Sequence, residues 1–272
     1  MHHQKIFTLI YTLFILTVGL VSSPAALAEA STLASIQKSG QLVLGTSANM
    51  PPMTGKDGNG KVVGFDIHLA RFMADGMGVE LKIKTMPFNK LLSALEKGEV
   101  DVVISNMTMN PKRNMRVAFV GPYMTSGKCV LTKKEGLAKA KAAENLNSPD
   151  VRLAALKGST SADFVKALLP DATVTLVDEY DDAVSLINED KIGGLMTDYP
   201  ICLSMIQRNP DAGFVSLFSL LSYEPIGIAL PAGDSLYINW TENFLGRLAG
   251  MKAMKQLQDR WFGKAMSSAA SQ

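Results

Sequence analysis

This chain of 272 residues is poor in the two residue types that most often carry metal and nucleophilic chemistry. It has two cysteines, Cys129 and Cys202, and three histidines, of which His2 and His3 lie at the extreme N-terminus. No Cys/His cluster has zinc-ligand spacing, so no metal site and no cofactor is expected. The remaining histidine, His68, stands inside the helical pattern Asp66-Ile67-His68-Leu69-Ala70-Arg71-Phe72. A Ser-His-Asp relay built on it is poorly supported. An excess of either charge is also missing: 27 Lys and Arg face 25 Asp and Glu, with no recurring basic stripe. That removes the argument for nucleic acid or an acidic membrane surface. Lys133, Lys134, Lys139 and Lys141 alternate with Glu135 and Glu144 and read as a solvated face. Long hydrophobic runs are absent apart from one at the start. Ile6 to Val21 is too short for a comfortable membrane span, Lys5 is the only charge in the first 28 residues, and Ala26-Leu27-Ala28 has the small-x-small form of a cleavage site. These features predict a signal peptide over residues 1–28, cut after Ala28, and a soluble, exported mature chain. Removing 28 residues from 272 leaves 244, ample for one large core or two smaller lobes. Export permits a disulfide between the cysteines. The sequence leaves that pairing open against two buried thiols.

What is present is most informative between Asp101 and Tyr123. The apolar run Val102-Val103-Ile104 ends abruptly in Ser105, Asn106 and Thr108; the turn signal Asn110-Pro111 follows, then Lys112, Arg113 and a close at Gly121-Pro122-Tyr123. This is the pattern of a buried strand whose C-terminal end opens into a polar loop, the edge at which open α/β sheets bind ligands. An Arg beside hydroxyls and free N–H groups suits a planar carboxylate, which it can grip through two parallel bonds. A surface Arg after a strand is the plainer alternative.

Elsewhere, short helices alternate with apolar strands. A helix over Leu33 to Gln37 is stopped by Gly40 and followed by the strand Leu42 to Leu44. Asn49 to Gly60 is loop-like, with a hairpin-prone Asp57-Gly58-Asn59-Gly60. Asp66 is placed to cap the next helix. Glu80 to Thr85 alternates as a strand, and Asn89 to Lys97 is helical. Leu91 to Asn106 and Ala183 to Asp198 echo one another: helix, turn (at Gly98 and at Asp190), apolar strand (Val100 to Ile104 and Ile192 to Met196), polar end. The fold class expected is α/β, with sheets flanked by helices.

Met107-Thr108, Asn110-Pro111-Lys112-Arg113 and Pro122-Tyr123 occupy the places of a signature that resembles family 3 of the bacterial extracellular solute-binding proteins, the polar-amino-acid receptors of ABC importers. Leu44-Gly45-Thr46, Pro51-Pro52, Gly64-Phe65-Asp66-Ile67 and Trp261-Phe262-Gly263 extend the resemblance over roughly residues 33–264. It implies a two-lobed type II periplasmic binding protein, a Venus-flytrap in which each lobe is a sheet flanked by helices. The lobes would be 29–124 with 227–272, and 125–226, joined by crossings near Met124 to Lys128 and Glu224 to Ile228 that hinge over a ligand. It further implies a non-enzymatic, monomeric periplasmic receptor that closes on a small amino acid or related carboxylate and delivers it to a membrane permease. The alternatives are a prephenate- or arogenate-type dehydratase on the same fold, for which Glu224 is the only acid to name, and a ligand-sensing module for a chemoreceptor.

The resemblance also assigns residues. Arg113 takes the ligand α-carboxylate, while Thr108 and the backbone at Ser105 accept from an α-ammonium. Lys157-Gly158-Ser159-Thr160-Ser161 precedes a helix starting near Ala162 and supplies Thr160 and Ser159 to the carboxylate cage; simple helix capping is the alternative there. Asp198 takes the α-ammonium, on the argument that an unpaired carboxylate in a closing cleft needs a cation; a cap for the helix at Pro200 is the alternative. The side-chain pocket departs from the family. Met50 and Met53 stand near the Pro-Pro pair where aromatics are common, Phe88 stands where Trp is frequent, and Asn106 adds a polar group able to read a ligand side chain. Thioethers make such a pocket softer and less suited to cations; ordinary packing of these loop methionines is the alternative. The sequence names neither the ligand nor the permease.

Overall fold

The computed structural model describes residues 31–140, 143–217 and 222–263. The expected signal peptide and its cleavage site lie outside them. The first helix, α1 (Thr32–Ser39), is capped by Ser31, whose Oγ accepts from the Ala34 amide, and ends at the left-handed Gly40; Leu33 and Ile36 face inward. Strand β1 (Gln41–Thr46) follows. The short strands β2 (Gly55–Lys56) and β3 (Val62–Val63) then form the hairpin expected at Asp57 to Gly60. The Asp57 carboxylate accepts from the amides of Asn59 and Lys61 and holds that turn. Next come α2 (Phe65–Met77), β4 (Glu80–Thr85), a helical turn at Phe88–Lys90, α3 (Leu91–Glu96), β5 (Val102–Val103), α4 (Pro111–Asn114) and β6 (Ala118–Ser126).

After Gly127 the chain runs through β7 (Lys128–Thr132), α5 (Glu135–Ala138), β8 (Arg152–Leu156), α6 (Thr160–Leu168), β9 (Thr173–Val177), α7 (Tyr180–Asn188), β10 (Gly194–Asp198), α8 (Tyr199–Arg208) and β11 (Val215–Leu217). It closes with β12 (Glu224–Leu230), α9 (Ser235–Gly250) and α10 (Ala253–Phe262). Two five-stranded sheets result, in the orders β4-β1-β5-β12-β6 and β11-β7-β10-β8-β9. β1 lies parallel to both β4 and β5, and β8 parallel to β9 and β10, so helices must return the chain over the sheet faces. The two sheets share a plan, as the echo in sequence suggested.

The segments nearest the passage between sheets pair with each other. β6 and β12 run antiparallel from Glu224↔Ser126 to Leu230↔Ala118, with an irregularity between Ile226 and Ile228. Gly227 sits there because a Cβ would come within 2.6 Å of the Met109 side chain. This close approach lets the loop after β5 dock on β12: the Gly227 amide donates to Met107 O, and the Met109 amide to Pro225 O.

Several boundaries move from those expected. α6 begins at Thr160 rather than Ala162, which makes Ser159 its cap, with Oγ accepting from the Ala162 amide. β10 ends on Asp198 rather than Met196. Asp66 does not cap α2: the cap position is Gly64, and the Asp66 carboxylate is fully buried within the first turn. Cys129 on β7 and Cys202 on α8 are joined in a disulfide across a sequence separation of 73. It ties α8 to the strand beside β10, a constraint worth about 2–4 kcal/mol.

Candidate functional site

The polar ends of β5 and β10 point their loops at one another. Arg113 lies on the one-turn helix α4, whose start is set by Asn110; the Asn110 Oδ1 accepts from the Arg113 amide and Pro111 fills the first turn. The guanidinium is buried. Its Nη1 donates to Thr108 O (2.7 Å), its Nη2 donates to Gly158 O (3.0 Å), and it lies 5.5 Å from the centre of the Phe88 ring. Among the described residues no carboxylate forms an ion pair with it. Burial pulls its pKa below the usual arginine value, opposed by the more distant Asp198, Asp163 and Glu224. A buried cation whose direct partners are carbonyls is a site that an anion would stabilise.

Gly158, from the loop before α6, reaches Arg113 because it adopts φ +77° and because a Cβ there would stand 2.9 Å from Asn89 Cβ. Across from Arg113, Asn106 Nδ2 donates to Asp198 Oδ2 (2.9 Å), and the Thr108 and Thr160 hydroxyls are 3.3 Å apart. The Thr160 proton goes to Glu224 Oε2 (2.9 Å), so Thr160 can only accept in the threonine pair, and the one Thr108 proton is shared between Thr160 Oγ1 and Glu224. The Asn106–Asp198 and Thr108–Thr160 bonds link the loop after β5 to the end of β10 and the start of α6. A further one, from Asn49 Nδ2 to Glu179 Oε2 (2.6 Å), lies at the rim.

Met50, Phe88, Asn106, Thr108, Arg113, Leu156, Ser159, Thr160, Tyr180 and Asp198 line a cavity of about 10 Å³. That volume suits one water molecule, so an organic ligand does not fit the cavity in this conformation. Tyr180 also lines a neighbouring open cleft of about 690 Å³. Eight of the ten residues singled out from the sequence meet at the small cavity. Met53 and Ser105 do not. Met53 is fully buried in the core. The Ser105 hydroxyl accepts from the Ser47 amide (3.0 Å) and bonds to Ser47 Oγ, turning it towards β1. Leu156 and Tyr180 line the cavity without having been expected there; nothing in an isolated strand end or helix start distinguishes them.

The argument that Asp198 lacks a cation does not hold. Lys128 Nζ lies 2.6 Å from Asp198 Oδ1, 2.7 Å from Thr160 Oγ1 and 3.2 Å from Glu224 Oε2, on a side chain with no solvent exposure. The signal in sequence was a lysine opening the apolar strand Lys128-Cys129-Val130-Leu131, which is ambiguous until that strand is known to be buried throughout. Nor does Asp198 cap α8, since its side chain makes no capping bond. Burial would raise the Glu224 carboxyl, yet the Lys128 ammonium and hydrogen bonds from Ser222, Thr108 and Thr160 outweigh it and hold Glu224 below the usual range.

Asp66 supports the site from behind. Its Oδ2 accepts from the Asn106 amide (2.7 Å) and its Oδ1 from Tyr123 Oη (2.9 Å), pinning Asn106 in the left-handed region at φ 49°. Burial lifts the Asp66 carboxyl from 3.8 to about 7, against the pull of those two bonds. Between these values the folded protein keeps a proton that the unfolded chain has released. Stability from this group is therefore complete below about pH 4 and is lost as pH rises through about 7, by on the order of 4 kcal/mol. Asp66→Asn should keep the acceptor for Asn106 and remove that fall. Urea unfolding of both proteins from pH 4 to 8 checks this; parallel curves would exclude Asp66 as the source.

The model for bacterial extracellular solute-binding proteins, family 3, matches residues 42–264. Among curated relatives, the L-cystine-binding protein TcyJ of Escherichia coli (strain K12) is 23% identical over 251 residues, covering 92% of this chain and 93% of that protein. Among solved structures, the ancestral amino acid-binding protein AncCDT-1, described as a precursor of cyclohexadienyl dehydratase, is 34% identical with a TM-score of 0.79 over 86% of this chain and all of that one. A binding component of an ABC transporter from Wolinella succinogenes DSM 1740, complexed with lysine, is 33% identical with a TM-score of 0.78, covering 82% of this chain and 96% of that one. The chain belongs to family 3 of the bacterial extracellular solute-binding proteins, with the two-lobed type II periplasmic binding protein fold.

Proposed function

We propose that this protein is a periplasmic receptor that closes on a small amino acid and presents it to the membrane permease of an ABC importer. The carrying observation is the pairing of opposites across the cavity. On one side stands the buried Arg113 guanidinium, bonded only to carbonyls. On the other stand Asp198 Oδ2 and Asn106 Oδ1, the latter a buried acceptor without a partner. The first suits an α-carboxylate and the second an α-ammonium, and a zwitterionic head group supplies both. Thr108, Thr160 and Ser159 complete the polar wall, and Met50, Phe88, Leu156 and Tyr180 form the apolar one. The lobes divide as 29–124 with 227–272, and 125–226, and hinge at Gly127 and at the start of β12. The chain is exported after cleavage behind Ala28 and acts as a monomer.

Glu224 argues against dehydratase chemistry. An acid held below its usual range by Lys128 is ionised at neutral pH and has no proton to give a leaving group. Protein purified from periplasm and then denatured should release an amino acid in near-stoichiometric amount by mass spectrometry. Recovery of carboxylic acids without an amine would overturn the amino-acid reading.

A further inference from the structure

Lys128 has three N–H donors and meets three acceptors, Asp198, Thr160 and Glu224. It has no donor left for a ligand, so it acts on the ligand through its charge and the volume it fills. Lys128 with its two carboxylates sums to one negative charge, and Arg113 brings the cluster to neutrality. An amino acid with an uncharged side chain adds one charge of each sign. Its carboxylate finds Arg113, and its ammonium finds Asp198 Oδ2 and the unpartnered Asn106 Oδ1. A basic amino acid brings a second cation, for which no carboxylate remains. Among the described residues Asp198 is the only acid lining the cavity, and Glu224 already receives Lys128, Thr160 and Ser222. The adjoining cleft offers no net attraction either, since Glu179 and Asp181 there are matched by Lys56 and Arg208. The fold itself does not exclude a basic ligand, because the Wolinella relative was solved with lysine.

We propose that Lys128 is a specificity-determining residue, a built-in second cation that reserves the site for amino acids with uncharged side chains and turns basic ones away. This rests on the amino-acid reading above. It also makes the residue convertible: removing the ammonium leaves two buried carboxylates and a lysine-shaped space beside Asp198 and Thr160, a place for a ligand cation.

The test is calorimetry on the mature protein, freed of bound ligand by unfolding and refolding, with methionine, glutamine, alanine, glutamate, lysine and ornithine as probes. Wild type should bind the best uncharged amino acid at least tenfold more tightly than lysine or ornithine. Lys128→Met should raise affinity for lysine or ornithine at least tenfold and reverse the ranking. Because that variant carries an uncompensated buried carboxylate and can fail to fold, Glu224→Gln provides a second arm. It keeps Lys128 paired with Asp198 but leaves one positive charge unbalanced, so glutamate should gain several-fold over glutamine. Wild type binding lysine or ornithine within threefold of the best uncharged amino acid would overturn the proposal, as would a Glu224→Gln ranking identical to wild type. If no amino acid binds wild type but 2-oxo acids do, the amino-acid reading itself fails and this inference falls with it.

Discussion

Arg113→Ala should weaken binding of the cognate ligand at least 100-fold. A buried, charge-assisted pair with a carboxylate is worth about 3 kcal/mol, and each 1.4 kcal/mol is tenfold in affinity. The structure adds a second reason. The same guanidinium donates to Gly158 O in the loop before α6, so its loss also removes a bond between that loop and α4. Arg113→Lys should recover only part, because a single ammonium cannot bond Thr108 O and Gly158 O and still present a planar fork to a carboxylate. Stability without ligand should change little. The variant loses two hydrogen bonds but is relieved of a buried cation with no carboxylate partner, and these oppose each other. Calorimetry and urea unfolding measure the two quantities separately. Unaltered affinity in Arg113→Ala would remove the residue from the site.

Asp198→Asn should weaken amino acids about 30-fold, from the loss of roughly 2 kcal/mol in a charged hydrogen bond to the ammonium. A matching carboxylic acid without the amine should change only a few-fold or gain, since for it the carboxylate is a repulsive neighbour. Lys128 remains paired with Glu224 in this variant, so no buried ammonium is left stranded. Arg113-dependent recognition of the carboxylate should persist, and the two effects should separate across a small ligand panel. Equal losses for amino acid and desamino analogue would show that Asp198 acts on the lobes and not on the amine.

Much of this candidate site is legible in the sequence. The strand ending at Ser105, the turn at Asn110-Pro111 and the guanidinium at Arg113 form a local pattern, and local patterns survive folding because hydrogen bonds within a few residues enforce them; the bond from the Arg113 amide to Asn110 Oδ1 is one. Thr160 and Ser159 were readable for the same reason, as a glycine-containing loop before a helix. For Met53 and Asp66 sequence position alone does not give direction, and for Met53 the packing alternative is the one the structure shows. Met53 lies in the right loop but points into the core. Asp66 lies at the right helix start but points inward to Asn106 and Tyr123.

By itself, then, the sequence determined the alternation of helices and strands and the polar strand ends, because periodicity and turn residues are properties of short segments; the opposed roles of Arg113 and Asp198 came from the family resemblance. Tertiary structure alone decided the pairing of Cys129 with Cys202 and the meeting of Lys128 with Asp198, Thr160 and Glu224. Those four residues are spread from position 128 to position 224, and the antiparallel pairing of β7 with β10 and of β6 with β12, with the parallel pairing of β8 with β10 that places the start of α6, brings them together. A lysine at the head of an apolar strand has no defined partner until the strands beside it are known. Its charge then becomes part of the site, because burial leaves it no water to pair with.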